Sequence, residues 1–326
     1  MTDVRDVLRR VVPERRVSST TPIHRGNHKQ TVVVEFADHD AVVVQLSSDP
    51  ESLRTEFTLA RAIRERTSLP IPPVVAAGAV SGTGYVVVER APGVDLHTRL
   101  THLRPADQQS VARSFGRYLA ELHEVFPFDG YGRLTVERGR ETGEPEAAPF
   151  ELRLRQATTD WPTWFEAYAR EGIETLPDAF APLHEPLHDA VSDSELPTTP
   201  ESALFPWDLR PGNALVDGTR VSALLDWGDP LAAAPGLAVA KVEHLVADWY
   251  VADGTPLRTA FREGYRSVRT LPDVPTVYRL VAVVRSAVDS RGTVTRPRYP
   301  ELDGEAAVDF HVERLRALLS TPESTD

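Results

Sequence analysis

The chain of 326 residues contains no cysteine. That absence excludes a disulfide framework, a thiolate nucleophile and a cysteine-ligated zinc, and it makes a reducing cytoplasm the expected compartment. No apolar run approaches the length of a bilayer span, and the charged start Met1-Thr2-Asp3-Val4-Arg5-Asp6 lacks the apolar stretch of a signal peptide. A soluble protein with no membrane partner is expected. Lysine is nearly missing as well: Lys29 and Lys241 are the only two, although Lys and Arg together number 36. Acidic residues number 48, the formal net charge is −12, and no basic stripe with interleaved aromatics occurs, so nucleic acid is not an expected partner. The acidic excess is spread along the whole chain. With Arg in place of Lys, it is the pattern expected of a halophilic protein whose self-repulsion is screened by salt.

What is present is concentrated in two segments. Leu204-Phe205-Pro206-Trp207-Asp208-Leu209-Arg210-Pro211-Gly212-Asn213-Ala214-Leu215-Val216 is followed by Ala223-Leu224-Leu225-Asp226-Trp227-Gly228-Asp229, which sets carboxylates and an amide between short apolar runs that read as strands. Asp208 and Asn213 stand five positions apart, and Asp226 lies eighteen positions after Asp208. Phosphoryl transfer needs such a set, with Mg²⁺ held by an Asp and an Asn while a second Asp orients the attacking hydroxyl and accepts its proton. The pattern D-x-x-x-x-N, a strand and a D-F-G-like turn reads here as Asp208 to Asn213, then Asp226-Trp227-Gly228.

At these residues the chain resembles the aminoglycoside phosphotransferase family, small-molecule kinases that share the two-lobed fold of protein kinases. Family segments read like H-G-D-x-H-P-G-N-x-L-V and then I-D-W. Here Pro206-Trp207 replaces the histidine and glycine, and Arg210 stands where a histidine is common. The resemblance implies an α+β fold, with an N-terminal antiparallel sheet and one main helix over residues 1–91 and a larger, mainly helical lobe over 92–326. It implies ATP or GTP with Mg²⁺, and a small-molecule hydroxyl as acceptor. In it Asp208 is the proton acceptor, Asn213 and Asp226 hold the metal, and Arg210 stabilises the catalytic loop or the transferring phosphate.

Residues 4–12 read as a short helix and 17–29 as a polar loop. Within that loop Gly26 corresponds to the turn that covers the nucleotide phosphates, between the first two strands. The strands 31–36 and 41–46 follow, and Gln45 occupies the position where the resembled fold carries a lysine paired with phosphate and with a helix glutamate. Ser48-Asp49-Pro50-Glu51 is a helix-capping signal, and it sets Glu56 in the place of that glutamate. Gln45 can hydrogen-bond phosphate or Glu56, keeping the helix in place without an ion pair, but it neutralises neither. The missing charge is therefore assigned to Lys29, helped by Mg²⁺, with Arg25 in the same loop.

A hairpin over 74–80 and 85–89 leads to Arg90-Ala91-Pro92-Gly93, where the main chain of Glu89 and Ala91 corresponds to the hinge that meets the adenine edge. Helices are expected over 108–123, 161–173, 183–191, 241–249, 257–268, 276–288 and 306–319, with a long loop over 127–149. His123 reads as a cation at a helix C-terminus. Trp161, Trp164 and Tyr168 read either as core aromatics or as the wall of an acceptor pocket, and Ala238 stands where the family commonly has an aspartate.

Two rivals remain. His184-Glu185-Pro186-Leu187-His188 matches the zinc-protease signature H-E-x-x-H, but Pro186 between the histidines argues for a helix start instead. The other rival is an inactive, nucleotide-binding or scaffold protein of kinase fold, for which Gln45 and the altered residues before Asp208 speak.

Overall fold

The computed structural model describes residues 4–23, 29–38, 40–138 and 150–321. Arg25 and Gly26 lie outside the described residues. Alternating β-branched residues build an antiparallel sheet from β1 (Val17–Ile23), β2 (Gln30–Phe36), β3 (Ala41–Ser47), β4 (Val74–Val80) and β5 (Thr83–Glu89), in the spatial order β1-β2-β3-β5-β4. Val32, Val34 and Phe36 of β2 and Val42, Val44 and Leu46 of β3 point to one face, as the two-residue period of a strand requires. That face is covered by Val4, Val7 and Leu8 of α1 (Val4–Val11). The polar stretch expected to be a loop is in part a strand. β1 is an edge strand whose residues are nearly all exposed, so it has no apolar alternation to reveal it, and its pairing with β2 runs from Val17↔Phe36 to Ile23↔Thr31.

The helix α2 (Pro50–Arg66) starts at Asp49, whose side chain accepts from the N–H groups of Glu51 and Ser52 at 3.1 and 3.0 Å. Leu53, Glu56, Ala60 and Ile63 share one helical face, and all four are buried. Glu56 is therefore turned into the protein.

The rest of the chain is mainly helical: α3 (Leu96–Arg99), α4 (Pro105–Val125), α5 (Trp161–Glu174), α6 (Ala181–Ser192), α7 (Pro235–Glu243), α8 (Thr255–Arg266), α9 (Thr276–Ala287) and α10 (Gly304–Leu319). The helices α4 and α8 approach through glycine. A Cβ on Gly116 would meet the Phe261 carbonyl at 1.9 Å, and one on Gly264 would meet the Arg113 carbonyl at 1.9 Å. Small strands thread this lobe: β6 (Val94–Asp95), β7 (Tyr131–Arg138), β8 (Phe150–Thr158), β9 (Ala203–Phe205), β10 (Ala214–Asp217), β11 (Arg220–Leu224) and β12 (Leu231–Ala233). They form two sheets, ordered β11-β10-β6 and β8-β7-β12-β9. The two-lobed, kinase-like α+β arrangement expected from the sequence is thus present.

Some local expectations need correction. Within the expected 127–149 loop, β7 pairs with β8, and Gly132 takes a φ of 150° there. The helix expected from Lys241 begins at Pro235 and continues past Glu243 as a π-helical turn, His244–Asp248. Pro186 lies inside α6 rather than at its start. That sets His184 and His188 one turn apart, yet among the described residues no group of three His, Cys, Asp or Glu gathers to hold a metal. His123 is no exposed helix-end cation. It is 1% exposed, and its Nδ1 lies 2.7 Å from the Tyr265 hydroxyl. Among the described residues no helix is long and apolar enough to cross a membrane.

Two buried histidines make stability pH-dependent. Burial, with Arg269 nearby, pushes His123 down from 6.5 to about 3, and burial pushes His311, bonded to Thr295, down to about 4. The unfolded chain takes up these protons first, so the contribution is fully present above pH 6.5 and is lost as pH falls toward the folded values. The loss is about 1.4 kcal/mol per pH unit for each histidine. In urea denaturation at pH 7 and pH 5, His123→Gln should lose less stability between the two than the parent does. An unchanged difference would contradict a neutral His123.

Candidate active site

The hairpin β10–β11 brings the two acidic segments together. Ala214 pairs with Leu224, and the N–H of Leu225 donates to the Asn213 carbonyl at 2.8 Å, which sets Asp226 beside Asn213. On the other side, Asn213 Nδ2 donates to the main-chain oxygen of Asp208 at 3.0 Å and to its Oδ2 at 3.2 Å. Arg210 Nη2 lies 3.1 Å from the same Oδ2. Asp208, Arg210, Asn213 and Asp226 line one cleft with Trp207, Trp227 and Gly228. Arg210 thus orients Asp208.

Asp226 has a φ of 61°, which is uncommon outside glycine and tolerated best by Asp and Asn. This turn lets the N–H of Trp227 donate to Glu56. Asn213 Oδ1 and the Asp226 carboxylate are hard oxygen donors. Completed by phosphate oxygens and water, they make the kind of set that Mg²⁺ takes.

The lysine expected on β3 is supplied from elsewhere. Lys29 Nζ donates to both oxygens of Glu56 at 2.7 Å each and to Asp226 Oδ1 at 2.9 Å. Register explains how. Thr31 pairs with Gln45, so Lys29, two residues earlier on β2's side of the ladder, shares a face with Gln45 one diagonal step away. Its four-carbon stem spans that offset. Burial works against the ammonium, but Glu56 and Asp226 outweigh it and hold its pKa above the ordinary lysine value. The expectation that the helix is held without an ion pair is therefore corrected: Glu56 is bonded to Lys29, and among the described residues Gln45 makes no side-chain hydrogen bond to it. At the hinge, the N–H of Glu89 donates to the Pro73 carbonyl at 2.9 Å, whereas Ala91 has no main-chain hydrogen bond among the described residues.

Lys241 was not singled out by its sequence context as a site residue. It is 2% exposed on α7, with its Nζ 3.6 Å above the ring of Trp207, the residue before Asp208. Its hydrogen-bond partner is the Arg285 carbonyl at 3.5 Å. The guanidinium of Arg285 in turn lies 4.2 Å over Tyr168 and 5.3 Å from the Trp207 ring centre. A lone lysine in the apolar run Leu237-Ala238-Val239-Ala240-Lys241-Val242 was the available signal. Of the three aromatics singled out, Trp161 is core, fully buried and bonded to the Tyr278 hydroxyl at 2.7 Å. Trp164 and Tyr168 line a cavity of about 280 Å³ together with Trp207, Arg133, Glu171 and Arg285.

Burial, opposed by Asp208 and reinforced by Arg285 and Arg210, pushes Lys241 down from 10.5 to about 7. Above pH 7 the folded amine is neutral while the unfolded one stays charged up to 10.5, so the parent gains stability across that interval. Lys241→Met should lose that gain, by at most about 1.4 kcal/mol per pH unit. Denaturation at pH 7 and pH 9 compares the slopes; equal slopes would mean that Lys241 is charged throughout.

The family profile described as "Phosphotransferase enzyme family" matches residues 19–279. No curated protein sequence matches the chain. Among solved structures, the chain is similar to a thermostable mutant of aminoglycoside phosphotransferase APH(4)-Ia in ternary complex with AMP-PNP and hygromycin B. The identity is 18%, 98% of each chain is covered and the TM-score is 0.62. A putative fructosamine-3-kinase from Haemophilus somnus 129PT shows 12% identity, 96% coverage of each chain and a TM-score of 0.58. The streptomycin–ATP–APH(2")-IIa ternary complex shows 15% identity, 86% coverage of each chain and a TM-score of 0.54. At these identities the structures establish the kinase-like fold, while the profile spans most of the chain together with its cleft. The chain belongs to the phosphotransferase enzyme family.

Proposed function

We propose that the protein transfers the γ-phosphoryl group of ATP or GTP to a hydroxyl of a small molecule. One observation carries this reading: Lys29, Glu56 and Asp226 form a single ion cluster at the cleft that also contains Asp208 and Asn213. In this reading the lobe that ends near residue 91 would cover the nucleotide, with the main chain of Glu89 and Ala91 meeting the base. Asn213 and Asp226 would hold Mg²⁺, which when bound would supply charge neutralisation for the phosphate oxygens. Lys29, bonded to Glu56 and Asp226, is the cation proposed to neutralise a phosphate oxygen. Asp208 is held by Asn213 and Arg210 so that its carboxylate orients the acceptor hydroxyl and takes its proton. Arg210 keeps that carboxylate aimed.

The inactive alternative rested on Gln45 and on the residues before Asp208. Lys29 supplies the amine that Gln45 lacks, and Lys241 supports Trp207 in the altered loop, so both grounds favour an active enzyme instead. The acidic, lysine-poor composition fits work in a salt-rich cytoplasm.

Asp208→Asn should retain nucleotide affinity and lose turnover by about 10² to 10⁴, because the amide orients but accepts no proton. Asp226→Ala should instead weaken the binding of Mg²⁺-ATP. Calorimetry and nucleotide turnover separate the two. Undiminished turnover in the first variant would remove Asp208 from the chemistry, and undiminished affinity in the second would leave Asp226 a structural role.

A further inference from the structure

Helix α7 is buried over its whole length, yet it carries a lysine and a glutamate. Glu243 is matched by Arg262 at 2.6 Å and by Arg279 at 2.8 Å. Lys241 has no such partner among the described residues; its one hydrogen bond goes to a main-chain carbonyl. A methionine would fill the same space without burying a charge, so packing alone does not account for the amine.

The amine lies under the approach to the proposed base. Its Nζ is 3.6 Å from the centre of the Trp207 ring and 5.8 Å from that of Phe205. These two residues flank Pro206 and lead directly into Asp208. The carbonyl that Nζ reaches, at 3.5 Å, belongs to Arg285 in the last turn of α9, where a helix presents its negative end. A desolvated cation over an indole face is among the stronger cation–π contacts. One amine thus ties the segment before Asp208 to the end of a helix that is itself packed in the core.

The surrounding charges point the same way. Asp208 favours the protonated amine, while Arg285 of α9 and Arg210 of the catalytic loop oppose it. Elsewhere around α7, β9 brings only Ala203, Leu204 and Phe205. His123 of α4 is bonded to Tyr265, and His244 of the π-helical turn faces Asp248, which Arg258 also holds.

We propose that Lys241 is a positioning residue for Asp208: its ammonium, clamped between the Trp207 ring and the end of α9, holds the Phe205–Asp208 segment so that the carboxylate is aimed for proton transfer. This deepens the phosphotransferase reading above and rests on it. When the ammonium loses its proton the cation–π contact goes with it, so turnover falls as pH rises while the nucleotide, held at the Lys29 cluster, is bound as before.

The test exploits the scarcity of lysine. In the full chain labelled with ¹³C-lysine, only Lys29 and Lys241 give side-chain signals, and Lys241→Met assigns them. In the parent the Lys241 signal should titrate at about 7. In Asp208→Asn and in Trp207→Leu the amine should hold its proton about threefold or more weakly, because a facing charge or the ring face is lost. Turnover is read as Mg²⁺-ATP hydrolysis with water as acceptor. The ratio of kcat in the parent to kcat in Lys241→Met should be about tenfold at pH 6 and narrow to within about twofold at pH 8.5, with KM for Mg²⁺-ATP unchanged. A purely structural lysine would give a ratio that does not move with pH. An unshifted Lys241 titration in both Asp208→Asn and Trp207→Leu, or a pH-independent ratio, would overturn the proposal. If the parent neither binds nor hydrolyses Mg²⁺-ATP, the phosphotransferase reading falls instead, and the coupling of Lys241 to Asp208 is still decided by the titrations.

Discussion

The ion cluster of Lys29, Glu56 and Asp226 is the interaction on which the cleft depends. It joins three segments far apart in sequence: the approach to β2, the inward face of α2 and the turn after β11. Lys29 and Glu56 are only 20% and 11% exposed on their side chains, so neither charge is well solvated without the other. Removing one partner of such a pair commonly costs about 3–5 kcal/mol, because the survivor is left buried and unpaired. The cluster therefore fixes the position of α2 relative to the turn that carries Asp226. In the proposed function it also keeps a cation available to the nucleotide phosphates.

A second layer lies under the loop that carries Asp208. Where the family's segments have small and imidazole side chains, this chain has Pro206 and Trp207, and the large indole needs support. Lys241 supplies it from below, and the Arg285–Tyr168 stack supplies it from the side. The large indole also adds one wall to the cavity that Trp164, Tyr168 and Arg285 line.

Much of this was legible in the sequence, for identifiable reasons. Asp208, Asn213 and Asp226 stood out because charged and amide groups between apolar strand-like runs have no reason to be there except chemistry, and the β10–β11 hairpin does bring them into one cleft. Asp49 and Pro50 marked the start of α2, and the hairpin of β4 and β5 followed its Ser81-Gly82 turn. Lys29 could be suspected as the compensating charge from lysine's scarcity and from its place in the loop expected to cover the phosphates. Its bonds to Glu56 could not be read, since they follow from strand register, which a sequence does not display. β1 escaped notice because an exposed edge strand buries nothing, and β7 because Gly132, with Gly130 just before it, resembles a loop. Arg285 and Glu171 reach the cavity beside Trp207 from α9 and α5, whose helical patterns place the residues on a face but do not say which faces meet.

The central claim is that Lys29 replaces, from the neighbouring strand, the cation missing at Gln45. The most direct measurement is the affinity of Mg²⁺-ATP for Lys29→Ala and for the double variant Lys29→Ala with Gln45→Lys. The account predicts a loss of about tenfold or more in the single variant, since one charge-assisted contact to phosphate is removed, and recovery of most of that loss in the double variant. Parental affinity in Lys29→Ala, or no recovery when the lysine is restored on β3, would contradict it.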